Sequence, residues 1–248
     1  MVSGKYSALS GAVSREQAMA NIANNMANIN STGFKKDRIS FAALLKGSRQ
    51  TTAARGINYS KIRTIGIDFS QGPLRTTGRD LDVAISGKGF FKIRGNGETF
   101  FTRNGSFYID NNGILKTSDN FDVLNDSSQP IQLGDARGKK IYIDEAGNIS
   151  LDNTPSGQKI QVFTVSAVSD TAKLEKTGNS LFKLKKGASS KAADTATIIQ
   201  NNLEGSNINM VEEMTMMINT QRRFDACLKV QKNYSNLSER QNELGAVG

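Results

Sequence analysis

The apolar residues of this chain change their repeat twice, and that change constrains the fold more than any single motif. Met19, Ile22, Met26 and Ile29 follow one another at steps of three, four and three, the spacing of one helix face. From Ile57 the repeat drops to two: Ile57 and Tyr59, then Ile65, Ile67 and Phe69, alternate with polar neighbours as a strand requires. Past Ser206 the helical repeat returns, and neither Gly nor Pro interrupts the chain between Ser206 and Leu244. The fold class that follows is α+β: long N- and C-terminal helices forming a coiled-coil-like stalk, with a central antiparallel β-rich domain.

The spacing predicts the first helix over residues 4–30. Tyr6, Leu9 and Val13 begin its apolar side, and Ala12, Met19 and Met26 continue it at seven-residue steps, with Arg15 interrupting the seam. Ala18, Ala20, Ala23 and Ala27 keep the surface slim for close packing. Among them stand Asn21, Asn24, Asn25, Asn28 and Asn30. Asn suits a helix interior poorly because its amide competes for the backbone. Asn at this density predicts a face that meets other protein, its amides bridging to a neighbouring chain. Gly33 suits the left-handed residue just past a helix end.

Ser206 or Asn207 is the expected cap of the second helix, with Glu212 and Glu213 at the positive end of its dipole. Met210, Met214, Met217, Phe224 and Leu228 follow one stripe, and Met216 adds to a run that fills irregular interfaces. Cys227, Val230, Tyr234, Leu237 and Leu244 continue it after a small shift in register. Both stripes are too broad and too polar-flanked to be satisfied by one helical hairpin, which points to polymerisation. The expected assembly interface comprises Leu9, Val13, Met19, Ile22, Asn25, Met26, Asn28, Ile29, Gly33 and Phe34 at one end. At the other it comprises Met210, Met214, Met217, Ile218, Phe224, Leu228, Leu237 and Leu244.

Between the ends, a short amphipathic piece at Ile39–Leu45 precedes a polar hinge at residues 47–56. From Leu81 to Lys186 short strand candidates alternate with turn signals, including Asn96-Gly97, Asn104-Gly105 and Asn112-Gly113. The expected divisions are an assembly helix at 1–35, a basic linker and extended segment at 36–78, and a β domain at 79–190. A return strand or linker at 191–205 and a second assembly helix at 206–248 complete the chain.

Composition narrows the chemistry. In 248 residues there is no His and one Cys, Cys227, so the usual zinc and copper ligand sets and Ser-His-Asp or Cys-His catalysis are unavailable. Cys227, in an apolar helical stretch, is expected to be a small buried hydrophobe. The net charge of +9 raises the question of nucleic acid. Its excess gathers in Lys35, Lys36, Arg38, Lys46, Arg49, Arg55, Lys61 and Arg63 without regular spacing or an accompanying recognition motif. A solvated or interface-lining segment is the better reading. Gly87-Lys88-Gly89 and Gly95-Asn96-Gly97 lack the spacing of phosphate loops and read as tight turns. Asp110–Gly113 lacks the ligand pattern of a calcium loop. Asp80, Asp82, Asp144 and Glu145 read as surface charge. No stretch reaches the roughly 20 apolar residues of a membrane span, and no secretory signal is visible.

The block from Asn21 to Phe41, NIANNMANINSTGFKKDRISF, resembles the amino-terminal signature of the bacterial flagellar axial family of rod, hook and hook-associated proteins. DLDVAISGKGFFKI and FFTRNGSFYIDNNGIL resemble that family's β-domain blocks. The run from Asn202, built on Leu203, Glu204, Ser206-Asn207, Val211-Glu212 and Arg222-Arg223-Phe224, is similar to its carboxy-terminal signature. The resemblance implies a non-enzymatic structural subunit without cofactors. Length argues against the hook subunit and the small rod proteins, and the 203–207 and 222–224 motifs, with the short stretch between Phe41 and Asp82, resemble the proximal-rod type rather than the distal one. Implied partners are other rod subunits, further copies of itself and the flagellar export apparatus. Neither nucleic acid, a small-molecule substrate nor stable membrane insertion is implied. The location is a periplasm-spanning rod reached without a cleaved signal, with ends that order on assembly into a torque-transmitting tube around the export channel.

Overall fold

The structure is a computed structural model that describes residues 2–46, 57–134, 136, 138–152, 154–160, 162–166, 174–178, 180–185, 189–192 and 196–245. The expected hinge at 47–56 lies outside the described residues. The chain forms two units. One comprises residues 1–27, 37–66 and 209–248; the other comprises 28–36 and 67–208.

The first unit holds the only helices among the described residues, α1 (Val2–Ala27) and α2 (Met210–Gly245). It also holds most of a two-stranded sheet of Asp37–Lys46 and Ile57–Ile67. The expected stalk of long terminal coiled-coil-like helices is therefore corrected. The N-terminal helix has only 26 residues, and the body between the helices is β-rich throughout its described length. α1 ends at Ala27 rather than residue 30 because Asn28 enters a turn, its carbonyl accepting from Ser31 N at 3.2 Å. The amphipathic piece at Ile39–Leu45 lies within a strand. Asn209, not Ser206 or Asn207, caps α2: its Oδ1 accepts from Val211 N and Glu212 N at 3.0 and 3.3 Å.

In the second unit every described strand pairing is antiparallel. A branched nine-stranded sheet is centred on Phe90–Gly95, with Glu98–Thr102 on one side and Asp122–Val123 on the other. A three-stranded sheet of Ile141–Ile143, Asn148–Leu151 and Thr154–Lys159 lies apart from it. Two short ladders bring the return of the chain back against its start: Thr197–Gln200 on Val83–Ser86, and Asn202–Glu204 on Leu74–Thr76.

Strand alternation sorts the core. Phe91 and Ile93 face the main cluster with Val83, Ile85, Phe107, Leu115 and Ile149. Phe90 faces the other way and joins Phe101, Leu174 and Phe182, where Phe69 completes three aromatic rings with centroids 5.5–5.6 Å apart. Each fully buried Phe contributes roughly 1.5–3 kcal/mol.

The Asn-Gly pairs divide by role. Asn96 and Gly97, at φ 52° and 78°, make the left-handed pair that a two-residue hairpin demands. At Asn112-Gly113, Asp110 Oδ1 accepts from Asn112 N and Ile114 N, each at 2.9 Å, closing the turn. Gly105 is different. It pairs with the Val83 amide at 3.0 Å, and a Cβ there would run into the Val83 carbonyl. We predict that Gly105→Ala costs about 2 kcal/mol through overpacking against backbone, measured by denaturant unfolding. Gly97→Ala, where nothing lies within 4 Å, should cost less than Gly105→Ala.

Candidate assembly interface

α1 and α2 lie antiparallel within the first unit. A Cβ at Gly4 would strike the Tyr234 ring, one at Gly11 would lie 3.3 Å from Cys227 Sγ, and Asn25 Nδ2 donates to Glu213 Oε2 at 3.4 Å. Stepping down one helix thus steps up the other in constant register. The inner face of α1 is made of small or polar groups: Gly4, Gly11, Ala12, Ser14, Ala18 and Asn25, with Ile22 its one large apolar residue. On the α2 side Cys227, Val230 and Tyr234 line the contact, and most other large apolar side chains of the pair are exposed. Of twelve exposed large hydrophobic residues in the described chain, ten lie on these helices: Tyr6, Leu9, Val13, Met210, Val211, Met214, Ile218, Leu228, Val230 and Leu237.

Asn25 spends its amide inside the chain. It donates to Asp37 O at 3.0 Å and accepts from Asp37 N at 3.1 Å, a two-bond clamp on the strand that follows, and is 1% exposed. An amide presents the same donor and acceptor as a peptide, so it pairs with backbone as a strand would.

In the second unit the Glu204 carboxylate draws three segments together. Oε1 accepts from Lys35 Nζ at 2.6 Å and from Gly72 N at 2.9 Å; Oε2 accepts from Arg103 Nη1 at 3.0 Å. The Lys35, Glu204 and Arg103 side chains are 0, 0 and 4% exposed. Lys35 also donates to Ser70 O at 2.7 Å, and Arg103 donates to Gly87 O at 2.7 Å. Burial lowers the pKa of the Lys35 ammonium and of the Arg103 guanidinium, and the Glu204 charge opposes that in both. Around this cluster Asn207 accepts from Lys36 N and donates to Asp68 O, both at 2.8 Å, while Asp68 N donates to Lys36 O at 2.8 Å. Lys176 closes the outside, donating to Lys35 O at 3.0 Å with its Nζ 3.6 Å from the centre of the Phe34 ring.

Three sequence blocks that lie far apart in the chain meet here: Ser31–Lys36, Thr102–Gly105 and Leu203–Asn207. The second and third of those blocks fall within two family matches. Residues 84–151 match the flagellar hook protein FlgE/F/G D1 domain, and residues 199–244 match the flagellar basal body rod FlgEFG protein C-terminal domain. The flagellar basal-body rod protein FlgG of Bacillus subtilis is 34% identical over 93% of this chain and 94% of its own length. FlgF of Caulobacter vibrioides is 30% identical over 94% of each. The hook protein FlgE of Treponema pallidum is 34% identical over 71% of this chain but 39% of its own length.

The chain belongs to the flagellar FlgE/F/G rod and hook family. It is a structural rod subunit, and no helix among its described residues is long and apolar enough to cross a membrane.

Seen as a rod protein, the expected interface residues separate into three groups. Leu9, Val13, Met210, Met214, Ile218, Leu228 and Leu237 are exposed on the helices. Met19, Met26, Met217 and Phe224 are half-buried, and Ile22 and Asn25 are buried. Asn28 and Ile29, half-buried, and Gly33 and Phe34, buried, belong to the second unit. The side chain of Leu244 lies outside the described residues. Gly33 has the expected left-handed φ of 67°, six residues beyond the helix end, where a Cβ would meet the Arg103–Asn104 peptide.

Two readings of charge are corrected. Lys35 and Lys36, expected in a solvated or interface-lining segment, are buried, and so is Asp82, 1% exposed with Arg79 Nη1 at 3.5 Å. Cys227 is half-buried against Gly11 rather than fully enclosed. The cluster at Glu204 was not anticipated from residue pattern; its sequence signal is one acid in the Leu203–Asn207 block, two bases in Ser31–Lys36 and one in Thr102–Gly105.

We predict that Asn25→Ala speeds amide exchange at Asp37 by at least about tenfold, the loss of a buried bond worth on the order of 1–2 kcal/mol. Asn25→Asp should exceed it, because the new carboxylate faces Glu213.

Proposed function

We propose that this chain polymerises with copies of itself and with other rod subunits through the outward faces of α1 and α2. The observation that carries the reading is the segregation just described. On the α1 side the helix contact is made by Gly, Ala, Ser and Asn, and the pair leaves ten large apolar side chains exposed, with Val230 at the rim of the contact. A monomer seldom keeps so many on one pair of helices, and such surfaces mark protein contacts. Within the family the chain is of the proximal, FlgF type. Leu203–Asn207 and Arg222–Phe224 support this, as does the short stretch between Phe41 and Asp82. Its work is mechanical: the assembled tube transmits torque and encloses the export channel. The chain is not an enzyme and does not act on nucleic acid, and it reaches the rod through the flagellar export apparatus without a cleaved signal.

Val13→Asp and Met214→Asp test the faces. Both sites are solvent-exposed in the free subunit, so each change should shift its stability by no more than about 0.5 kcal/mol. In the cell each should abolish swimming and leave basal bodies without complete rods. Intact rods in a motile strain carrying either substitution would sink the assignment. For the rod position, a deletion strain imaged by electron cryotomography should lack rod above the inner ring. A rod that starts normally and stops short of the hook would favour the distal, FlgG type instead.

A further inference from the structure

Glu204 holds together segments that belong to opposite ends of the sequence, which raises the question of what happens when only one of them is in place. Lys35 and Arg103 approach the same carboxylate from two sides, and the Arg103 charge disfavours that of Lys35. With Glu204 absent, two cations face one another away from water, and the Lys35 segment loses both its counter-charge and its reason to stay. With Lys35 absent, Glu204 keeps Arg103 and Gly72 N. Backbone bonds follow the same pattern: Gly33 N donates to Glu204 O at 2.8 Å, and Lys36 N donates to Asn207 Oδ1.

We propose that the Lys35–Glu204–Arg103 cluster is a conditional latch: residues 33–36, next to the N-terminal helix, and residues 204–207, next to the C-terminal one, order together or not at all. The latch goes beyond rod assembly, since it is a property of the single chain. It acts by making the half-seated state the costly one. A chain whose amino-terminal segment is displaced carries Glu204 with one cation fewer. A chain whose carboxy-terminal segment is displaced carries two buried cations and no anion. The asymmetry predicts an order of severity, Glu204→Gln above Lys35→Met, because methionine withdraws one charge and fills the space whereas glutamine strands two.

Amide exchange of the full-length chain decides it, read at positions the substituted side chain does not itself bond. Glu204→Gln should raise exchange at Lys36 N at least tenfold, although Lys36 N bonds Asn207 and not Glu204. Lys35→Met should raise exchange at Gly205 N, which donates to Pro73 O at 2.8 Å, by a smaller factor of at least threefold. Leu115 N, bonded to Ile131 O in the main core at 2.9 Å, should keep its wild-type rate in both. The latch is overturned if each substitution loosens only its own segment, or if Leu115 speeds up by the same factor, which would make the cluster an ordinary part of the core. Should Glu204→Gln fail to fold, Lys35→Met alone decides: faster Gly205 exchange with Leu115 unchanged supports the latch, and Gly205 at the wild-type rate refutes it.

Discussion

A single carboxylate that never meets water organises the second unit. Glu204 accepts from an ammonium, a guanidinium and a peptide N–H that come from positions 35, 103 and 72. Such a site is poor at adding net stability, because the cost of removing three charges from water consumes most of their attraction; well-packed apolar groups often serve as well. Its strength lies in intolerance. Removing one partner of a buried ionic pair costs about 3–5 kcal/mol, so a wrong neighbour or a missing segment is heavily penalised. The aromatic cluster of Phe69, Phe90 and Phe182 could accept many arrangements of similar volume. The Glu204 site accepts only one. Arg103 belongs to both, with its guanidinium 5.4 Å from the Phe90 ring, so the specific contact and the adaptable one share a wall.

The helix pair applies the opposite logic. Glycine and alanine at the α1–α2 contact let the two backbones approach closely but provide little apolar burial of their own. Large residues would make a stronger pair, and the chain has them, yet places Leu9, Val13, Met214 and Ile218 on the far sides. The pair is therefore slim and keeps large apolar residues exposed.

That inversion explains what the sequence concealed. Periodicity located both helices and most strands, because a repeat of three to four or of two depends only on the local chain. It could not say which face turns inward: Tyr6, Leu9 and Val13 look like a core stripe, and only the position of the partner helix shows that the core stripe is Gly4, Gly11 and Ala18. The strand at Asp37–Lys46 was equally hidden. Ile39–Leu45 satisfies a helical reading, and what decides it is pairing with Ile57–Ile67 across an intervening stretch. Charge was the least legible feature. Lys35 stands at the head of a basic run and Asp82 beside a second acid, and composition gives no reason to bury either one.

The asparagines show why local pattern misleads at such places. Their density near the amino terminus predicted amides reaching across to another chain, since a solvated helix has little use for them. Asn25 instead clasps the Asp37 peptide, and Asn207, at the other end of the sequence, clasps the peptides at Lys36 and Asp68. Both pair with backbone as a neighbouring strand would. Asparagine costs a helix something at position 25, and the return is a defined path for the residues that follow. An asparagine that reads as intermolecular glue at position 25, and one that reads as a helix cap at position 207, are both internal wiring: they fix where the amino-terminal segment runs.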